Sequence, residues 1–180
     1  MTRLKQKSSE SVEWYTPPWV VEKARRVVGP FTLDPATCDR ANQIVKAENI
    51  YTKEMDGLSR NWRVDDLTKS RIWLNPPYGR GGVCGIWVNK LMAEIARRNV
   101  EEAMLLVNSN TSSQWFHGLW SYPICFFYKR LKFISEDGQQ KKDPTHANCL
   151  VYLGKNWPGF DREFGREGHI SWPVARRAVG

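Results

Sequence analysis

The chain has 180 residues, 41% of them hydrophobic and 12% aromatic, with a formal charge of +8. That length and apolar content predict one folded domain and exclude a disordered chain. No run is long enough to span a bilayer and the first ten residues are polar, so neither a membrane segment nor a signal peptide is expected, and the cytoplasm is the expected compartment.

The charge is uneven. Residues 31–128 carry eleven basic and ten acidic groups, and the segments on either side hold +7 of the excess. Basic margins around a near-neutral middle suit an enzyme core whose outer elements touch a polyanion, and equally suit a solvated basic surface. Cys38, Cys84, Cys125 and Cys149 have no paired close spacing, and His117, His146 and His169 lie far apart. These spacings predict no metal site, and reduced, mostly buried thiols.

In chain order, Thr16 to Gly29 reads as a helix with Thr16 as N-cap, Pro17 and Pro18 in the first turn and Gly29 past the end. Val20, Val21, Ala24, Val27 and Val28 would face the core. Phe31 to Asp34 reads as a short strand ending in a carboxylate before Pro35. That is where open α/β sheets bind ligands, so Asp34 is either a contact for a cationic cofactor or a turn cap. Ala36 to Leu58 shows little periodicity and ends in an Asp56-Gly57 turn signal, with Asp56 a possible acceptor for a ligand amino or hydroxyl group.

Arg71 to Leu74 reads as a buried strand that runs into Asn75-Pro76-Pro77-Tyr78. Two prolines without N–H groups stop both strand and helix, and the residue before a proline is held extended. Asn75 therefore displays its amide beyond the sheet edge, beside the acceptor carbonyl of Pro76 and the ring of Tyr78. Two acceptors next to an aromatic face form a receptor for a flat group bearing –NH2. Accepting both hydrogens of an exocyclic amine localises a lone pair that the ring otherwise withdraws, which is what attack on a methyl sulfonium requires. A base in a duplex must leave the stack to reach such a pocket.

Gly79 to Gly85 is a glycine-rich stretch without a phosphate loop's Lys-Ser/Thr ending, so a lid is the expectation. Ile86 to Asn99 reads as an amphipathic helix with Ile86, Val88, Leu91, Met92, Ile95 and Ala96 inward. Ala103 to Val107 is the next strand, Ser112 to Tyr122 a helix, and Ile124 to Tyr128 and Ala147 to Leu153 are strands joined without a helix and hence antiparallel. Lys129, Arg130 and Lys132 lie between these last two strands. The fold class is α/β, a mostly parallel sheet with one antiparallel strand near its edge. Residues 155–180 show no period and receive no assignment, and residues 1–12 read as a polar arm.

Glu13-Trp14-Tyr15-Thr16-Pro17-Pro18, Leu33-Asp34-Pro35-Ala36-Thr37, Asp56-Gly57-Leu58 with Trp62, Asn75-Pro76-Pro77-Tyr78-Gly79 and Arg130-Leu131-Lys132-Phe133 occur in that order. Together they resemble the phage-type DNA N-6-adenine methyltransferases over about residues 13–153. The resemblance implies a Rossmann-like fold dependent on S-adenosylmethionine, with double-stranded DNA as partner. It places Tyr15, Thr16 and Pro17 at the cofactor's methionine end, Asp34 and Ala36 on the first cofactor strand and turn, and Asp56 near the adenosine. Asn75, Pro76, Pro77 and Tyr78 match the catalytic tetrapeptide, and Phe133 an aromatic opposite Tyr78 around the flipped base. Lys129 and Lys132, with Arg80 in the glycine-rich loop, are the candidates for the DNA backbone. The turn after Asp34 lacks the glycines of the wider methyltransferase pattern, and no acid clearly ends a second strand, Glu48 being a weak candidate. Cytosine N4 as acceptor, protein glutamine as acceptor, and a DNA-binding protein with a decayed cofactor site are the alternatives. Glutamine is disfavoured because it gives no reason for basic margins.

Overall fold

A computed structural model describes residues 14–65, 67–78, 82–135, 138–140 and 146–173. The polar arm, Arg80 with the rest of residues 79–81, and much of the segment after Ser135 lie outside these. In chain order the elements are β1 (Trp14–Tyr15), α1 (Pro18–Val28), β2 (Leu33–Asp34), α2 (Asp39–Val45), β3 (Asn49–Ile50), β4 (Ser70–Leu74), α3 (Val83–Ala96) and β5 (Val100–Asn108). A 3₁₀ helix (Gln114–Ser121), β6 (Ile124–Phe127), β7 (Ile134–Ser135), β8 (Asn148–Leu153), α4 (Trp157–Phe164) and β9 (Gly168–Ser171) follow.

Among the described residues seven strands form the main sheet in the order β3-β2-β4-β5-β8-β6-β9. Neighbours from β3 to β5 are parallel, whereas β8 is antiparallel to both β5 and β6, and β9 is antiparallel to β6. The sheet is mostly parallel in strand direction, as expected, but two strands are reversed and not one. The second, β9, comes from the stretch that sequence patterning left unassigned. Its preceding helix α4 is only two turns long and buries Phe160 and Phe164, one turn apart, against α1. Asn156 caps it by accepting from the Gly159 N–H at 3.1 Å.

Alternation along the strands divides the core into two faces. Trp73, Met104, Leu106, Leu150 and Tyr152 pack beneath α1 and α4 with Val20, Val21, Ala24 and Phe31. Ile72, Leu74, Leu105, Val107 and Val151 pack on the other face with Trp87, Val88 and Leu91 of α3. Helix α1 buries all five residues expected to face inward and ends at Gly29, whose φ of 85° favours glycine.

Three local expectations are corrected. Thr16 is not the N-cap of α1; Pro17 holds that position without a side-chain cap. Helix α3 begins at Val83, earlier than expected, and it turns Trp87 and Glu94 inward together with Val88 and Leu91 while Ile86 and Ala96 are exposed. The helix expected over Ser112–Tyr122 is a shorter 3₁₀ turn sequence that anchors Phe116 and Leu119. None of the four cysteines forms a disulfide; Cys125 and Cys149 are buried, and Cys38 and Cys84 are half-buried. No described helix is long and apolar enough to cross a membrane.

Candidate active site

The site lies at the C-terminal ends of the parallel strands. Strand β4 stops at Leu74, whose register partner is Leu105 on β5. Pro76 and Pro77 bring no N–H to continue the ladder, and the carbonyl of Leu106, one residue further along β5, accepts from the Tyr78 hydroxyl at 3.1 Å. Asn75 Oδ1 lies 3.0 Å from the same hydroxyl, whose single proton is shared between the two acceptors. Trp73 faces α1, so alternation places Asn75 on that face too. There its Nδ2 donates to Thr16 Oγ1 at 3.3 Å. The hydroxyl expected to cap a helix thus fixes the orientation of Asn75, across 59 residues of sequence.

Tyr78 keeps 42% of its surface exposed, yet its hydroxyl is enclosed. Burial, with Cys84 and Cys149 nearby, pushes the phenol well above its usual range, against a hydrogen bond with the Asn148 side chain. Asn148 is buried and its Nδ2 donates to Asn108 Oδ1 at 3.0 Å. These two asparagines are register partners on β8 and β5. Thr16, Asn75, Tyr78, Asn148 and Asn108 therefore form one connected polar network.

A second cluster stands at the ends of β2 and β3. Asp34 is 3% exposed, and its Oδ1 accepts from the Ala36 N–H at 3.2 Å. Burial pushes this carboxyl up to about 7, despite opposing hydrogen bonds from the Ala36 N–H and the Thr37 hydroxyl. Asp56 is exposed in the left-handed region, with φ 51°. The following Gly57 brings the two turns together, because a Cβ there would lie 2.0 Å from the Pro35 carbonyl oxygen. Trp62 Nε1 donates to the Gly57 carbonyl at 2.8 Å, and the Trp62 ring stacks on Trp87. Glu94 on α3 braces this arrangement, accepting from Lys90 Nζ at 2.7 Å and Asn99 Nδ2 at 2.7 Å. Burial raises the Glu94 pKa, but hydrogen bonds from Lys90 and Asn99 outweigh it and hold the carboxyl below its usual range. Glu48 precedes β3 and so stands at the opposite end from the site; Glu54, which accepts from Thr52 Oγ1 at 2.7 Å, is the carboxylate that follows β3.

The amino-terminal and Arg-Leu-Lys-Phe segments meet through a small two-stranded sheet in which Tyr15 pairs with Ile134 and Trp14 with Ser135. Tyr15, Thr16, Leu131 and Phe133 are buried, while Lys129, Arg130 and Lys132 are exposed. This pairing sets Phe133 beside the strand that leads into Thr16. The candidate residues thus fall into two adjoining clusters, with Arg80 outside the described residues.

Residues 3–171 match the model of the DNA N-6-adenine-methyltransferase (Dam) family. The chain belongs to this family. A DNA N-6-adenine-methyltransferase of Haemophilus phage HP1 (strain HP1c1) is 30% identical over 157 residues, covering 85% of this chain and 84% of that relative. The protein is accordingly an enzyme that methylates adenine N6 in DNA, carried on an α/β sheet of Rossmann-like type. Within this Dam-family chain, sequence reasoning missed Asn108, Asn148 and the Leu106 carbonyl. A signal was available for the first two: each is a carboxamide closing an apolar strand at its site end, Asn108 after Ala103–Val107 and Asn148 before 149–153. Among the described residues no group of three His, Cys, Asp or Glu side chains is placed to hold a metal.

Proposed function

We propose that the enzyme takes its methyl group from S-adenosylmethionine and acts on an adenine turned out of double-stranded DNA into the space bordered by Asn75, Tyr78 and Phe133. The buried Asp34 carboxyl supports this cofactor. A carboxyl held near neutrality by burial at a ligand-binding strand end is stabilised as the anion by a cationic partner, and S-adenosylmethionine carries cationic groups. Asp34, Ala36 and Asp56 would hold it on one side, and Tyr15, Thr16 and Pro17 on the other. When bound, it supplies an electrophilic methyl group on a positively charged sulfur.

The remaining work belongs to the protein. Asn75 Oδ1 and the Pro76 carbonyl accept the two hydrogens of the adenine amino group and aim its lone pair, while Thr16 keeps Asn75 from rotating. Tyr78 and Phe133 pack on the two faces of the base. Both acceptors at the amino group are neutral amides, so the displaced proton passes to water. Lys129 and Lys132, exposed on either side of the buried Leu131, contact phosphates.

The observation that carries the reading is the Asn75 amide, anchored through Nδ2 with Oδ1 already engaged by a hydroxyl donor. The test is to incubate the protein with methyl-labelled S-adenosylmethionine and duplex DNA, digest the DNA to nucleosides and identify the labelled product by mass spectrometry. N6-methyladenine is expected; label on cytosine N4, or none on DNA, overturns the reading.

A further inference from the structure

Four groups surround the Tyr78 hydroxyl or continue from it: Asn75 Oδ1, the Leu106 carbonyl, the Asn148 side chain and, through Asn148, the Asn108 amide. If Asn75 orients the adenine amino group, that group binds the same Oδ1 that Tyr78 engages, beside the hydroxyl or in its place. Whatever then borders the hydroxyl position borders the atoms flanking the amino group. In adenine those atoms are N1 and N7, both hydrogen-bond acceptors, and neither is served by Asn75 Oδ1 or the Pro76 carbonyl, which only accept, while Asn75 Nδ2 is turned to Thr16.

The asparagine pair is the donor source on this face. Leu106 and Leu150 point toward α1, and Asn108 and Asn148 each lie two residues away on the same strands, so both side chains share the face of Asn75. The pair is cross-strand and bonded at 3.0 Å, with Asn148 nearly fully buried and Asn108 half-buried. Asn108 accepts through Oδ1, and its Nδ2 has no protein partner among the described residues. Two carboxamides at the end of an otherwise apolar strand pair cost desolvation that a hydrocarbon pair would not. Here that cost leaves an oriented N–H fork at the open end of the site.

We propose that Asn108, oriented by Asn148, reads the target base by donating from its side-chain amide to a ring nitrogen beside the reacting amino group. Asn108 is then a specificity residue that touches the base, and Asn148 a positioning residue that acts through it. The inference rests on the adenine reading above.

The test uses Asn108→Asp, which keeps the oxygen that accepts from Asn148 and removes both N–H donors, together with Asn148→Ala. Duplexes carry adenine, 1-deazaadenine or 7-deazaadenine at the target position. Wild type is expected to lose about tenfold or more in kcat/KM on one of the two analogues, the value of a lost hydrogen bond in a closed site. Asn108→Asp should lose at least as much on adenine, yet show no further loss on that same analogue, with cofactor affinity and melting temperature unchanged. Asn148→Ala should weaken the discrimination between adenine and that analogue. The proposal is overturned if Asn108→Asp discriminates the analogues as wild type does, or if wild type tolerates both. A wild type that methylates no adenine duplex at all would instead overturn the adenine reading, which keeps the two failures distinct.

Discussion

The two halves of the site are built by different means. On the side proposed for the cofactor, polar groups are held by backbone interlock: the Asp34 turn closes on its own Ala36 N–H, Gly57 fits against the Pro35 carbonyl, and Trp62 Nε1 donates to the Gly57 carbonyl. On the side proposed for the base, side chains hold one another across the fold, Thr16 to Asn75, Tyr78 to Asn75, and Asn148 to Asn108. The first construction fixes an ionisable group where water is scarce. The second fixes the direction of neutral acceptors and donors, the property an aminated ring needs. The halves should therefore fail differently, the cofactor side through charge and pH and the base side through turnover.

Asp34→Asn should give the largest effect. An unfolded aspartate has lost its proton above about pH 4, whereas the folded carboxyl keeps it until about 7. Between those values the native state holds the extra proton, so stability falls as pH rises through the window, by on the order of 4 kcal/mol. The asparagine variant should lose this slope and be the more stable protein at pH 8, by thermal or denaturant unfolding at a series of pH values. Its cofactor affinity should drop and should no longer rise with pH through neutrality, as titration calorimetry will measure. A variant with the wild-type pH dependence of both quantities would reduce Asp34 to a turn cap.

Asn75→Ala should lower kcat by about a hundredfold or more, roughly 3 kcal/mol, because one preorganised contact to the reacting group is lost. Cofactor affinity and melting temperature should hold. Retention of more than about a tenth of wild-type kcat would show that Asn75 does not orient the amine, and a fall in cofactor affinity instead would erase the division between the halves.

The same division explains what the sequence discloses. Backbone turns leave local marks in either half: Asp-Gly, Leu-Asp-Pro and Asn-Pro-Pro-Tyr are each visible within a few residues, so β2, β4, α1 and the residues at their ends are readable from turn chemistry and periodicity. Side-chain braces leave none, because Asn108 and Asn148 are 40 positions apart and meet only once β5 and β8 are paired. Thr16 was misread for that reason: a threonine ahead of Pro-Pro looks like a cap until β4 brings Asn75 to it. The end of the chain shows a different failure. In α4 the inward side chains Phe160 and Phe164 span a single turn, too short for a period to emerge among exposed Trp157 and the charges around it.

Thr16 is bonded to Asn75 and is also proposed to lie against the cofactor, and Thr16→Val tests which role it serves. The valine keeps the shape and removes the acceptor for Asn75 Nδ2. With the amide free to rotate, kcat should fall about tenfold, the worth of one buried hydrogen bond, while the KM for S-adenosylmethionine changes little. A raised cofactor KM with kcat preserved would assign Thr16 to the cofactor alone.

The smallest effect lies outside both halves, on the exposed lysines near the proposed base pocket. Lys129 and Lys132 flank the buried Leu131, and Lys132 adjoins Phe133, so their charges stand at the surface where a duplex must lie if its base is to reach Tyr78. Contacts to phosphate release counterions without reading sequence, so each lost contact should flatten the dependence of log affinity on log salt by about one unit. A Lys129→Ala/Lys132→Ala variant should therefore bind every duplex somewhat more weakly at low salt, with a slope reduced by about two units and kcat on saturating DNA preserved. Arg130 is left in place because it has an interaction of its own in the fold. An unchanged slope, in a variant that melts like wild type, would remove these lysines from the interface and leave the basic groups of the amino-terminal arm and the carboxy-terminal end as the source of the phosphate contacts.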